Sequence, residues 1–223
     1  MSSFGPAYIL ERKHEGYHVD NPNDKGKKTY AGIASAFYPN WSGWPIVYAH
    51  EAKIGRSLKT NEQVPGIEPH VEAFYKSLWD SKGFGAISNQ DVANIVYDWF
   101  INSGGTGIKG VQRVLNNSFG KSLSVDGAFG QQTATAINSV DPVKLNNAIK
   151  QARTDFYYGL VQKDPTQAVF LKGWLNRINS FPTLSVVGIG LGTILFGTGI
   201  FFLVRHLVNE SKKKKHVTSK AAG

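Results

Sequence analysis

The 223-residue chain contains no cysteine, which excludes disulfides, thiolate metal sites and cysteine nucleophiles. Its chemistry must therefore rest on carboxylates, histidines or hydroxyls. Strings that alternate apolar and polar residues are scarce, which argues against a sheet-dominated fold and leaves a mainly α protein. The first residues, MSSFGPAYILERKHEGY, lack the apolar core of a signal peptide. Acidic residues thin out along the chain. Residues 1–106 carry 10 basic and 11 acidic side chains, 107–182 carry 9 and 4, and 183–223 carry 6 and 1. The formal charge of +9 thus belongs to the second half, where it suits an anionic polymer or surface such as cell wall or membrane. The basic residues are scattered rather than gathered with aromatics on one element, and no nucleic-acid module motif occurs, so nucleic acid is not an expected partner.

One long hydrophobic run is present. Residues 183–204, TLSVVGIGLGTILFGTGIFFLV, form an uncharged stretch of roughly 22 residues, enough to cross a hydrocarbon core of about 30 Å. This predicts a single transmembrane helix. Gly188 and Gly192 form a G-x-x-x-G pair that suits close helix contact, pointing to a homo-oligomer or a larger membrane assembly. Arg205, His206 and Lys212 to Lys215 follow the run, so the positive-inside rule places the C-terminus in the cytoplasm and the preceding residues across the membrane. Trp174 and Phe181-Pro182 are expected to form an interfacial collar before it.

Upstream, DVANIVYDWFIN at 91–102 spaces Val92, Ile95, Val96, Trp99 and Phe100 as one helical face, and 71–79 does the same with Val71, Phe74, Tyr75 and Leu78. A glycine cluster interrupts the pattern near Gly105, and helical spacing resumes through Val111, Val114 and Leu115. The organisation read from this is 1–105, 106–180, the membrane span 183–204 and a basic tail 205–223.

Residues 13–24, KHEGYHVDNPND, contain His14, Glu15 and His18 as H-E-x-x-H, the pattern of a zinc peptidase helix. That chemistry needs both histidines one turn apart on a continuing helix. Here a helix starting near Pro6 is expected to end about Glu15, because Gly16 and the turn-forming VDNPND follow. His18 then falls off the required face, and no third ligand stands at a recognisable spacing. Asp20, Asn23 and Asp24 likewise miss the EF-hand spacing for calcium. Neither a metal nor a cofactor is expected, and a zinc peptidase is the weakest of three readings. What remains is a glutamate at a helix end opening onto a polar loop, a placement that suits a glycosidase general acid.

The string HEGYHVDNPNDKGKKTYAGI, followed by Phe37 to Trp41 and by Gly43-Trp44, resembles the N-terminal segment of glycoside hydrolase family 108, the phage and prophage N-acetylmuramidases. Phe74-Tyr75 with Trp79, Tyr97-Asp98, Asn102 to Gly104 and Val111-Gln112 with Leu115 continue the match in order. The resemblance implies a lysozyme-like helical catalytic domain that cleaves the β-1,4 bond after N-acetylmuramic acid in peptidoglycan, with Glu15 as catalytic acid. Combined with the predicted membrane span and the charge that follows it, this reading expects an inner-membrane protein with its enzyme part in the periplasm and a role in a phage or prophage lysis system. Two positions depart from the family motif: its second glycine is Tyr17 here and its tyrosine is His18. For the second catalytic group Asp24 is favoured over Asp20, with Thr29 as another water-positioning candidate. Tyr17, Tyr30, Trp41 and Trp44 are candidate sugar-stacking residues.

In the second segment, SVDGAFGQQTAT at 124–135 places an Asp126-Gly127 turn before a helix start that includes Thr133. Together with Arg153, Phe156-Tyr157, Gly173-Trp174 and Arg177 it resembles the helical peptidoglycan-binding domain that accompanies this hydrolase family. The competing reading for the whole chain is a non-catalytic peptidoglycan-binding structural or anchoring protein.

Overall fold

The computed structural model describes residues 1–20 and 26–182. Within that range the chain runs α1 (Phe4–Arg12), β1 (His18–Asp20), β2 (Lys28–Tyr30), β3 (Ile33–Ala34), α2 (Trp44–Ile54), α3 (Glu68–Lys82), α4 (Gln90–Ser103), α5 (Gly105–Phe119), α6 (Gln131–Asn138), α7 (Pro142–Lys163) and α8 (Ala168–Asn179). The predicted span 183–204, the tail 205–223 and Asp24 lie outside the described residues. No helix among the described residues is long and apolar enough to cross a membrane.

The helical face read at 91–102 becomes α4, the centre of the molecule. Asn89 starts it, its side chain accepting the Val92 amide at 3.0 Å and satisfying one otherwise unpaired donor of the first turn. Val92, Ala93, Ile95, Val96, Tyr97 and Trp99 are all buried, and α4 packs against α1, α5 and α7. At its end Gly104 alone breaks the helix, with φ of 54°, and α5 starts at the next residue. The glycine cluster is a one-residue corner. Gly107 and Gly110 explain why it is so tight: a Cβ on Gly107 would lie 2.4 Å from the Trp99 carbonyl oxygen, and one on Gly110 would lie 2.1 Å from the Trp99 ring. Only glycine lets the two helices approach so closely. A single apolar cluster continues from Phe4 and Tyr30 through α4 to Leu145 and Ile149 of α7, so packing passes residue 105 without a break.

A small sheet was not apparent from the sequence, because strands of two or three residues are too short to show a period of two. The order is β1-β2-β3, all antiparallel, with His18 opposite Tyr30 and Thr29 opposite both Val19 and Ala34. The β2–β3 turn uses Ala31 (φ 48°) and Gly32 (φ 75°), the paired positive φ angles of a type I′ hairpin.

Two further expectations change. Helix α1 begins at Phe4 and ends at Arg12, short of Glu15; the amides of His14 and Glu15 still bond to the Glu11 carbonyl at 3.0 and 3.1 Å, carrying one more turn. The expected interfacial collar packs inward. Phe181 is buried in the main core, and the Trp174 ring stacks on Tyr157 with centroids 4.7 Å apart.

Candidate active site

Glu15 leaves α1 on a short connection held from several sides. Arg12 donates to the Glu15 carbonyl at 3.0 Å while its guanidinium also pairs with Glu68 at 2.8 Å, which ties the connection to α3. Asn61 accepts the Tyr17 amide at 3.4 Å and donates its own amide to the His18 carbonyl at 2.7 Å. The side chain of Glu15 is 18% exposed and turns toward the β2–β3 hairpin. A Cβ on Gly32 would lie 2.4 Å from Glu15 Oε2 and 2.7 Å from the Tyr75 hydroxyl, so glycine is required there for space as well as for φ.

The other carboxylate oxygen meets a buried charge cluster. Arg177, from α8, donates Nη1 to Glu15 Oε1 at 2.9 Å, Nε to Asp98 Oδ1 at 2.8 Å, and Nη2 to Glu11 Oε1. Behind Asp98, Arg153 of α7 lies with Nη1 2.5 Å from Oδ2. Glu11, Asp98, Arg153 and Arg177 are all buried. Burial drives the Glu11 carboxyl well above its usual value, with Asp98 adding to this and Arg177 opposing it. Burial also pushes Asp98 upward, but Arg153, then Arg177, and a hydrogen bond from Glu11 outweigh it and hold Asp98 below the usual carboxylate range. Burial alone would depress Arg177; Asp98, Glu11 and Glu15 raise it instead, so it stays a cation.

The sequence-derived candidates fare unequally. Trp41 is 7% exposed and donates Nε1 to the His70 carbonyl at 3.2 Å; Trp44 is 2% exposed and donates to the Tyr38 carbonyl at 2.8 Å. Tyr30 is buried, its hydroxyl accepting the Val64 amide at 2.9 Å. These three rings are core, and their faces are not open to a sugar. The YPNWSGWP string looks like a loop, yet its tryptophans staple that loop to α3 and to the start of α2. Tyr17 is half-buried, edge-on to Tyr30 at 6.4 Å and beneath the Arg12 guanidinium at 5.4 Å. Thr29 Oγ1 donates to the Lys27 carbonyl at 3.3 Å, on the strand face opposite Tyr30. His14 Nε2 lies 2.7 Å from Ser180 Oγ, whereas His18 is buried in β1 with Nδ1 3.2 Å from the Lys59 carbonyl, so the two imidazoles do not converge on one ion.

Open aromatic surface lies instead on Phe37, 66% exposed, and Tyr38, 41% exposed. With Pro39, Asn40, an edge of Trp41 and Phe74 they line a cavity of about 350 Å³ that begins just past β3, a few residues along the chain from Gly32. The sequence marks Asp98, Arg153 and Arg177 only as parts of the resemblance, and nothing in it showed that they meet Glu11 and Glu15. A signal existed in Asp98, an acid inside the otherwise apolar face of α4, since such a group needs a buried cationic partner.

Two adjacent family models match the chain: "Glycosyl hydrolase 108" over residues 9–104 and "Predicted Peptidoglycan domain" over residues 106–179. A solved structure described as "Structure of Brucella abortus SagA" is similar to this chain with a TM-score of 0.53 and 21% identity, covering 79% of this chain and 89% of that one. At that identity the likeness speaks to the fold. No curated protein matches. The fold and the two matches support a peptidoglycan hydrolase, a glycoside hydrolase segment followed by a peptidoglycan-binding one.

Proposed function

We propose that this chain is an N-acetylmuramidase that cuts the β-1,4 glycosidic bond of murein, with Glu15 as the general acid. The observation that carries this is the held, partly exposed carboxylate: Oε1 is fixed by Arg177 at 2.9 Å, while Oε2 lies beside Gly32 at the hairpin turn. Glu15 gives its proton to the glycosidic oxygen as the bond from the anomeric carbon to that oxygen breaks. Water adds to the anomeric carbon and surrenders its proton to a second group, for which Asp24 and Asp20 are the nearby carboxylates in sequence and Thr29 a neutral water-positioning candidate. The open rings of Phe37 and Tyr38 supply flat apolar faces for a pyranose ring, and Tyr17, two residues after Glu15, is a further stacking candidate. Residues 183–204 tether the enzyme to the inner membrane, with the hydrolase facing the periplasm.

The test is clearance of purified murein by the full chain in detergent, wild type beside Glu15→Gln, with and without chelator. Clearance by wild type alone, indifferent to chelator, is the expected result. Murein binding by both with clearance by neither would replace this reading with a non-catalytic wall-binding protein.

A further inference from the structure

A second groove lies between α5 and α7, with a cavity of about 380 Å³, inside the range of ligand pockets. Small side chains open it: Gly110 on one wall faces Ala148 and Ala152 on the other, between helices that otherwise pack together. Trp99 of α4 forms the floor beneath Gly110, where a Cβ would lie 2.1 Å from its ring. The rim is polar. Arg113 and Asn117 rise one turn apart from α5, Gln151 and Asp155 one turn apart from α7, and all four are exposed.

The unused bonding capacity of this rim describes its ligand. Among the described residues the Arg113 side chain enters no ion pair or hydrogen bond, and Asp155 accepts only from Gln151 Nε2, at 2.8 Å. A guanidinium and a carboxylate thus line one groove from opposite walls without pairing. The floor, by contrast, offers no ring face to a sugar. Trp99 is buried, and Phe156 stands edge-on to it with centroids 6.1 Å apart. Murein has two parts of different chemistry. Its glycan is uncharged, because the amino groups are acetylated and the lactyl carboxyl is taken up in the amide to the peptide. Its peptide carries free carboxylates and, wherever a strand is not cross-linked, the free amine of a diamino acid.

We propose that the α5–α7 groove binds the peptide of murein and not its glycan: Arg113 takes a peptide carboxylate, Asp155 takes the diamino-acid amine, and Asn117 and Gln151 bond to peptide amides. This assigns a ligand to the segment matched as a peptidoglycan domain, and it rests on murein being what that segment binds. It does not use the Glu15 cluster. Asp98 and Arg153, which pair there, are the chain neighbours of Trp99 and Ala152, and successive helix residues lie about 100° apart, so groove and cluster occupy different faces of α4 and α7.

The experiment is isothermal titration of the full chain in detergent with three soluble probes. One is an N-terminally acetylated murein peptide containing diaminopimelate with its side-chain amine free, the second is the same peptide with that amine acetylated, and the third is a peptide-free glycan oligomer. Wild type is expected to bind the first, and Arg113→Ala and Asp155→Ala, both at exposed positions, each to weaken that binding by roughly tenfold, the loss of one charge-assisted hydrogen bond. Acetylating the amine should weaken binding to wild type by a similar factor and binding to Asp155→Ala not at all, a comparison that pairs a chemical change in the ligand with one in the protein. Glycan affinity should be the same in all three proteins. Absence of saturable peptide binding would overturn the proposal, as would equal peptide affinity in wild type and both variants. Glycan binding lost in Arg113→Ala would make the groove a sugar site and overturn it too. The peptide contains no glycosidic bond, so the titration reads the same whether or not Glu15 is the acid, and failure of wild type to clear murein would remove the muramidase reading alone.

Discussion

Arg177 Nη1 lies 2.9 Å from Glu15 Oε1 although 162 residues separate them in the chain. This one contact joins the end of α8 to the connection after α1, and so joins the two family-matched segments at the residue proposed to carry the chemistry. Its consequences are direct to test.

Arg177→Met removes the cation from a site that holds Asp98 and Glu11, leaving buried carboxylates with one guanidinium fewer; breaking such a pair costs roughly 3–5 kcal/mol. Chemical denaturation should register that loss. Arg177→Lys keeps the charge but not the three-way fork, so it should recover part of the stability while clearance stays well below wild type.

The second segment should not be detachable. A fragment of residues 1–105 loses Arg153 and Arg177 and exposes the apolar side of α4 that packs on α5 and α7. It is expected to lack a cooperative melt and to clear no murein. A folded, active fragment would contradict the cross-segment site.

Stability should peak in mildly acidic solution. Asp98 is held below its unfolded value, so the stability it contributes is present above about pH 4 and is lost as pH falls through its folded pKa. Glu11 is held above its unfolded value, so its contribution is complete below about pH 4 and is lost as pH rises, with a slope of up to about 1.4 kcal/mol per pH unit. Urea melts across pH 3–9 should show both limbs.

Gly32→Ala asks an L side chain to adopt φ of 75° and to occupy space 2.4 Å from Glu15 Oε2. Backbone strain of this kind costs about 1–3 kcal/mol. Because the clash falls on the carboxylate, activity should fall further than stability, seen as lower kcat at a temperature where the variant remains folded.

The aromatic residues should separate by burial. Phe37→Ala and Tyr38→Ala are expected to raise KM for soluble glycan fragments with little change in Tm, since both rings are open to solvent. Trp41→Ala should instead lose roughly 3–5 kcal/mol of stability as a core truncation. The reverse pattern would restore Trp41 as a sugar platform.

Much of this was legible in the sequence for identifiable reasons. Helix α4 could be read because its apolar residues Val92, Ile95, Val96, Trp99 and Phe100 recur at helical spacing, and the Gly104 corner because glycine is the residue that tolerates its φ. Glu15 could be proposed because it sits in a local motif, and the divergence of His14 and His18 could be anticipated because Gly16 lies between them. The sheet was hidden by the brevity of its strands. Trp41 and Trp44 misled because a string rich in proline, serine and glycine looks exposed, and only packing against α3 and the start of α2 buries those rings.

Composition and periodicity thus determined that this chain would be mainly helical, would work without thiols, and would carry a glutamate at a helix end. The tertiary structure decided what surrounds that glutamate. Arg153 and Arg177 are distant in sequence from Glu11, Glu15 and Asp98, and no local pattern encodes their meeting. They converge because burying α4 brings α1 and α7 against it and α7 in turn carries α8, and a buried acid on α4 is stable only where that packing delivers opposite charge.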